Sequence, residues 1–265
     1  MSGNTKALRV RIKSVTATMG LTKAMGLVAS SKIRRANLAT QKAREYLSSL
    51  KGAISLLTST DECAKSVFMK KGEGKTKIIV IAGDRGLAGG YNSNVFKLAK
   101  TFPDAEFIGI GKRACERFSQ EVVSSEQYGV NEAFSLSEKL CGEFEKGEIS
   151  RVGIIYTKYN SIMSQSAEIE WVLPLERAEK QSADAIFEPD SLTVLNSAVK
   201  EYLAGVLVSL IRESFLSEVT ARRMAMDSAG KNAKEMIDEL HLQYNRARQG
   251  AITQEITEIV AGSGN

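Results

Sequence analysis

Proline is scarce in this chain. Its 265 residues include only Pro103, Pro174 and Pro189, so residues 1–102 and 190–265 contain none. Interior proline breaks helices, and nothing at either end forbids very long ones. Histidine is scarcer still: His241 stands alone, which excludes a His-rich metal site or a Ser-His-Asp triad with spare bases. Cys63, Cys115 and Cys141 are odd in number, widely spaced and free of any CxxC pair. They read as reduced packing residues, and a disulfide framework is not expected. No window supplies the ~18 consecutive apolar residues of a membrane span. The opening MSGNTKALRVR has neither an apolar signal core nor an acid-free, Ser-rich leader ahead of the first periodic segment. With 43% hydrophobic and 25% charged residues, the composition is that of an ordinary soluble protein of one or two domains.

Acidic residues are almost absent from the N-terminal end. Residues 1–60 hold eleven Lys and Arg against Glu45 alone, a charge of +10, whereas the remaining 205 residues carry 25 basic and 30 acidic side chains, or −5. A solvated helix face usually mixes both signs. A segment this one-sided calls for an acidic protein surface, nucleic acid or lipid as its partner.

What is present in that segment is a heptad repeat. Leu8, Ile12, Val15, Met19, Thr22, Gly26, Ala29, Ile33, Ala36, Thr40, Ala43, Leu47, Leu50, Ile54 and Leu57 follow alternating steps of four and three. The spacing predicts one continuous coiled-coil helix over about residues 3–60, roughly 75 Å from Leu8 to Leu57 at ~1.5 Å per residue. Such a stripe needs a partner, and the proline-free C-terminal end is the obvious one. There Asp190-Ser191 makes an N-cap, and Ser217, Ala221, Ala225, Ala229 and Ala233 form a small-residue stripe. Met236, Leu240, Ala247, Ala251, Ile256 and Val260 carry the stripe toward Gly262. An antiparallel, left-handed pair follows.

Between the ends the period changes. The run Lys70–Lys75 reads as a connector, followed by strands at 77–82, 106–111 and 151–157 and an edge strand at 167–175 beside Pro174. Helices are expected at 93–100, 112–118 and 135–144. The fold class is therefore α/β, with a long antiparallel coiled coil of the N- and C-terminal helices bracketing a small Rossmann-like domain. The expected division is 1–60 for the first coiled-coil helix, 61–190 for the central domain and 191–265 for the second coiled-coil helix.

The loop GDRGLAGGYN after the first strand sits where glycine-rich loops cradle phosphates, but it is not GxGxxG, and Asp84 would oppose an anion. Its glycines read as turn geometry and close packing, with Gly86 expected at positive φ. No metal, cofactor or catalytic constellation stands out.

TKAMGLVASSKIRRA, DRGLAGGYN, SEVTARRMAMDSAGKNA and YNRARQGAITQEITEIVAG together resemble the gamma subunit family of F-type ATP synthases. ITQEITEIVAG is particularly specific to that family. Ala88 stands where the family often has cysteine, and the cysteine-bearing insertion of chloroplast members is missing. The resemblance implies a non-catalytic rotor shaft of a bacterial-type enzyme. It would lie inside a ring of alpha and beta subunits, with an epsilon subunit and the c-subunit ring below, peripheral on the cytoplasmic face of the cell membrane. It implies no cofactor and no nucleic acid. Arg248, Gln249, Thr253 and Glu255 match the family's upper contact cluster, and Lys23, Met25 and Arg34, with the adjacent Arg35, match the lower one.

Two other readings fit parts of the sequence. A coiled-coil nucleic-acid-binding protein with a central hinge domain would use the +10 segment against phosphates, but its arms run to hundreds of residues and end in an ATPase head. A Rossmann-like nucleotide enzyme with helical tails lacks its glycine fingerprint here.

Overall fold

The computed structural model describes residues 3–118, 121–179 and 185–262. They form two compact units, one of Met1–Ser30 with Arg222–Asn265 and one of Ser31–Ala221. Two helices contribute to both: α1 (Gly3–Thr58) and α5 (Ser191–Gly262).

In the second unit, Lys75–Ile81 (β1), Glu106–Ile110 (β2), Ile149–Tyr159 (β3) and Gln165–Leu173 (β4) make a four-stranded sheet in the order β2-β1-β3-β4. β1 pairs parallel with both β2 and β3, and β4 is antiparallel at the edge. Pro174 falls just past β4, where no ladder bond is lost. The helices between the strands are Tyr91–Ala99 (α2), Lys112–Phe118 (α3) and Val130–Glu145 (α4). α4 begins five residues earlier than its apolar period announces, because the Glu132 carboxylate turns back to accept the Gly129 N–H at 3.0 Å. Two short 3-10 turns, Cys63–Lys65 and Val67–Met69, follow α1.

The unbroken apolar run of β1 is buried on both faces, as a central parallel strand requires. Ile79 and Ile81 join Leu140 and Phe144 of α4, Leu47, Ile54 and Leu57 of α1, and Leu195, Leu203 and Leu207 of α5. Ile78 and Val80 face Val95 and Ala99 of α2 and Ala114 of α3. Each fully buried Leu or Ile stabilises this sandwich by about 1.5–3 kcal/mol. α5 holds an 18-residue window of mean hydropathy 1.4, and 56% of it is buried within the protein. That window overlaps the part of α5 that covers the sheet, and packing accounts for its apolar character. At the start of α5 the Asp190 carboxylate accepts the Thr193 N–H at 2.8 Å, the cap expected from the sequence.

In the first unit the two helices run antiparallel. All fifteen positions of the α1 heptad stripe, in both units, are buried or half-buried. A Cβ placed on Gly26 would lie 3.7 Å from the Met226 Cβ, and one on Gly230 would lie 3.7 Å from Thr22 Oγ1. The side chains meet at this thin stretch, as the small residues of both segments led us to expect. The α5 seam is Met226, Gly230, Ala233, Ile237, Leu240, Tyr244, Ala247 and Ala251, all buried or half-buried. The expected stripe needs correction at three positions. Met236, Ile256 and Val260 are 42%, 56% and 65% exposed. Met236 lies off the seam. The pairing register, fixed by Arg9 against Tyr244, brings Gly3 to about the level of Gly250, so α1 does not reach the last three turns of α5.

Candidate functional site

Three surfaces carry the residues singled out by sequence. The first is the end of α5. From Ile252 to Gly262 every residue is exposed, yet the segment stays helical. At about 100° per residue, Ile252, Ile256, Ile259 and Val260 share one arc of roughly 100°. Arg248 and Glu255 border that arc on one side, and Thr253 borders it on the other. The Thr253 hydroxyl donates to its own helix at Gln249 O, 3.0 Å away, whereas Arg248 and Gln249 have no side-chain partner among the described residues. The structure thus brings Arg248, Gln249, Thr253 and Glu255 together around an apolar patch. The periodic stripe expected from the sequence takes in Ile256 and Val260 of this patch but not Ile252 or Ile259, so it does not reveal the patch as an exposed arc.

The second surface belongs to α1 in the same unit. Lys23 is exposed and Met25 half-buried, flanking the Gly26 contact. Lys6, Arg11, Lys13 and Lys23 make no ion pair among the described residues. Only Arg9 is engaged, donating to Tyr244 Oη at 2.8 Å.

The third lies on the second unit. Arg34 and Arg35 are exposed and likewise make no ion pair among the described residues. Their neighbour Lys32 reaches Glu126 at 2.5 Å, in the segment that precedes α4. That segment is held by Asp84, which the sequence had placed in a possible phosphate loop. The Asp84 carboxylate accepts from Ser124 Oγ at 2.6 Å and from the backbone N–H groups of Lys112, Ser125 and Glu126 at 3.0, 3.0 and 3.2 Å. Burial works against its ionisation, but these four hydrogen bonds outweigh burial and hold the carboxyl below its usual range. The donors a phosphate would need are therefore already engaged by a side chain of the protein. Over Gly83 the crevice is closed as well: a Cβ there would lie 2.7 Å from the Glu218 carboxyl carbon. Gly86 is not at positive φ, contrary to expectation. Leu87 takes that conformation instead, at φ 61°, followed by Gly89 at 57°. The turn is set by how the chain enters α2 after Asp84 is anchored.

No group of three or more His, Cys, Asp or Glu residues suited to a metal occurs among the described residues. All three cysteines are buried and free. The sequence also gave no hint of Glu213, a buried carboxylate of α5 that reaches Arg44 of α1 at 2.9 Å.

The architecture is that of a scaffold: a pair of long antiparallel terminal helices with exposed cations and an exposed apolar end, joined to a small α/β domain whose phosphate-type loop is filled by its own side chains. Comparison with known proteins narrows the class. The family described as ATP synthase matches residues 4–264. The ATP synthase gamma chain of Ruminococcus albus is 39% identical, with 99% of this chain and 98% of that one covered. A sodium-ion-specific ATP synthase gamma chain from Acetobacterium woodii is 35% identical, with 99% of each covered. A chain of the Euglena gracilis mitochondrial ATP synthase, in a structure of OSCP, F1 and c-ring, shares the fold with a TM-score of 0.71 at 18% identity, over 98% of this chain and 94% of that one. A chain of the same organism's ATP synthase rotor gives 0.68 at 18% identity, over 94% and 99%. The chain belongs to the ATP synthase gamma-chain family. The nucleic-acid reading finds no support.

Proposed function

We infer that this chain is the central rotor shaft of a rotary ATP synthase, coupling ion flow through a membrane ring to the conformational cycle of catalytic beta chains. The observation that carries this reading is the end of α5, which remains helical for three turns beyond its partner and offers an apolar arc bordered by Arg248, Thr253 and Glu255. A helix end of this kind needs an enclosing surface. A sleeve formed by alternating alpha and beta chains supplies one, and the unpaired cations of α1 suit acidic surfaces on the beta chains. Lys23, Met25, Arg34 and Arg35 are the lower contacts in this reading; Arg248, Gln249, Thr253 and Glu255 are the upper ones.

The shaft performs no bond chemistry. It acts because its contacts differ around the axis, so each beta chain meets a different surface and a different conformation is favoured. The α/β domain would carry an epsilon chain and rest on the c-ring, which places the protein at the cytoplasmic face of the membrane through the complex. Membership of a family of synthase gamma chains, full-length cover by relatives and the occupied Asp84 loop all support a role without a bound nucleotide.

Co-expression with the alpha and beta chains of its own organism tests the reading. A soluble complex containing one copy of this chain per ring is expected. A chain that elutes alone in size-exclusion chromatography, with alpha and beta present and folded, would sink it.

A further inference from the structure

Glu213 sits where three elements of the second unit meet. It is only 7% exposed. Its Oε1 accepts from Arg44 Nη2 of α1 at 2.9 Å and from the backbone N–H of Tyr159, the last residue of β3, at 3.1 Å; its Oε2 accepts from Arg44 Nε at 3.3 Å. One carboxylate on α5 therefore holds both α1 and the end of a central strand. Adjacent bonds repeat the pattern. Thr40 Oγ1 donates to Arg212 O at 3.0 Å, Ser214 Oγ accepts from Thr157 N at 2.9 Å, and Ser217 Oγ donates to Thr157 O at 3.0 Å.

Apolar packing between α1 and α5 is thin at this level. The local cluster consists of Ala36, Leu216 and Val219, with Ile33, Phe215 and Tyr159 packed against it. Hydrophobic contact is non-directional, so a cluster of so few apolar side chains does little to fix the rotation of one helix about the other. Bonds from a planar carboxylate to a guanidinium fork are directional and resist such rolling. A buried ion pair is a poor source of net stability, and fixing register or orientation is its best-attested use.

We propose that Glu213, clamped by Arg44, is a positioning residue for torque transfer, locking α1 and β3 to α5 so that rotation of the α/β domain turns both helices together. This rests on the rotor reading above. Nothing in it requires Glu213 to touch nucleotide or any partner chain.

The test uses the whole ion-translocating complex in proteoliposomes, measuring ions pumped per ATP hydrolysed, hydrolysis rate and subunit stoichiometry. Glu213→Gln keeps the shape and an acceptor for Tyr159 but loses the charge that holds Arg44. Arg44→Lys keeps the charge but loses the fork. With normal stoichiometry and sustained hydrolysis, pumping per ATP is expected to fall about two- to thirtyfold, the range produced by residues that link distant sites. Unchanged pumping per ATP in the variants that assemble overturns the proposal, whatever happens to thermal stability. If Glu213→Gln does not assemble, Arg44→Lys decides alone. Failure of the unaltered chain to enter the complex removes the rotor reading itself, a result distinct from either variant outcome.

Discussion

The Arg151 guanidinium carbon lies 3.5 Å from the centroid of the Trp171 ring. Phe102 meets the same ring edge-on, with centroids 5.8 Å apart, and Gly153 underlies it so closely that a Cβ would come within 2.8 Å of Trp171 Cε3. Tryptophan, glycine, arginine and phenylalanine form one stack on the outer part of the sheet. Gly153→Ala is expected to push the indole off its seat and cost about 1–3 kcal/mol as an overpacked site. Trp171 is the only tryptophan, so emission that shifts to the red together with a lower denaturation midpoint is an unambiguous reading. An unmoved spectrum would contradict the geometry.

Asp84 gives a pH prediction with a definite sign. Its folded pKa lies below the unfolded value near 3.8, so its stabilising contribution is present in full above that value. The contribution is lost as pH falls through the lower folded value. Asp84→Asn should cost about 1 kcal/mol near neutrality, allowing for solvent screening of a half-buried group. It should also flatten the fall in stability below pH ~4. Urea denaturation from pH 7 down to pH 2 checks both parts.

The cysteines should be silent in the native state. Cys63, Cys115 and Cys141 are all buried, and burial, ahead of its charged neighbours, pushes the Cys141 thiol up to about 11. Thiolate is the reactive form. An aromatic disulfide reagent at pH 8 should find almost no fast thiol in the folded chain and three after denaturation.

Thr157 Oγ1 is buried without a hydrogen-bond partner. Thr157→Val removes a desolvated hydroxyl, keeps the β-branched shape and leaves the backbone bonds to Ser214 and Ser217 in place. Stability should be unchanged or rise by up to about 1 kcal/mol, as read from the thermal midpoint. A clear loss would show that the hydroxyl has a partner in solution.

At the end of α5, Arg248→Ala should slow steady-state ATP hydrolysis of the assembled complex about tenfold or more, because a hydrogen bond to a charged partner contributes roughly 1.5–3 kcal/mol. Thr253→Val should have less effect, since that hydroxyl already donates to Gln249 O. Stoichiometry should be normal in both. Full activity in Arg248→Ala would reduce the cluster to a solvated face.

Much of this was legible from periodicity. The α1 stripe was readable over all fifteen positions because a long two-helix seam repeats one rule. The strands were readable because a central parallel strand is apolar on both faces. What escaped depends on distant residues. Arg44 and Glu213 are 169 positions apart, and nothing local to either marks the pair. The exposure of Ile256 and Val260 follows from where α1 starts, which no residue near 256 encodes. Gly86 misled because the turn is governed by the bonds of Asp84 to Ser124, Ser125 and Glu126, some forty residues later. Lys23, Arg34 and Arg248 were selected by family resemblance, and their lack of an ion-pair partner is information that only the structure adds.

The 235-residue separation between Arg9 and Tyr244 also sets an order of events during synthesis. α1 is made before α5, and the part of its stripe from Leu8 to Ala29 has no cover until the α5 seam from Met226 to Ala251 has been made. Chain closure over such a span is slow unless something brings the ends together, and the α/β domain does so by placing Thr60 Oγ1 3.4 Å from Ser191 Oγ. Pairing can then propagate from that junction toward Gly3, one turn at a time. A nascent chain therefore presents a cationic, half-apolar helix until the seam from Met226 to Ala251 has been made, some two hundred residues after the stripe it covers.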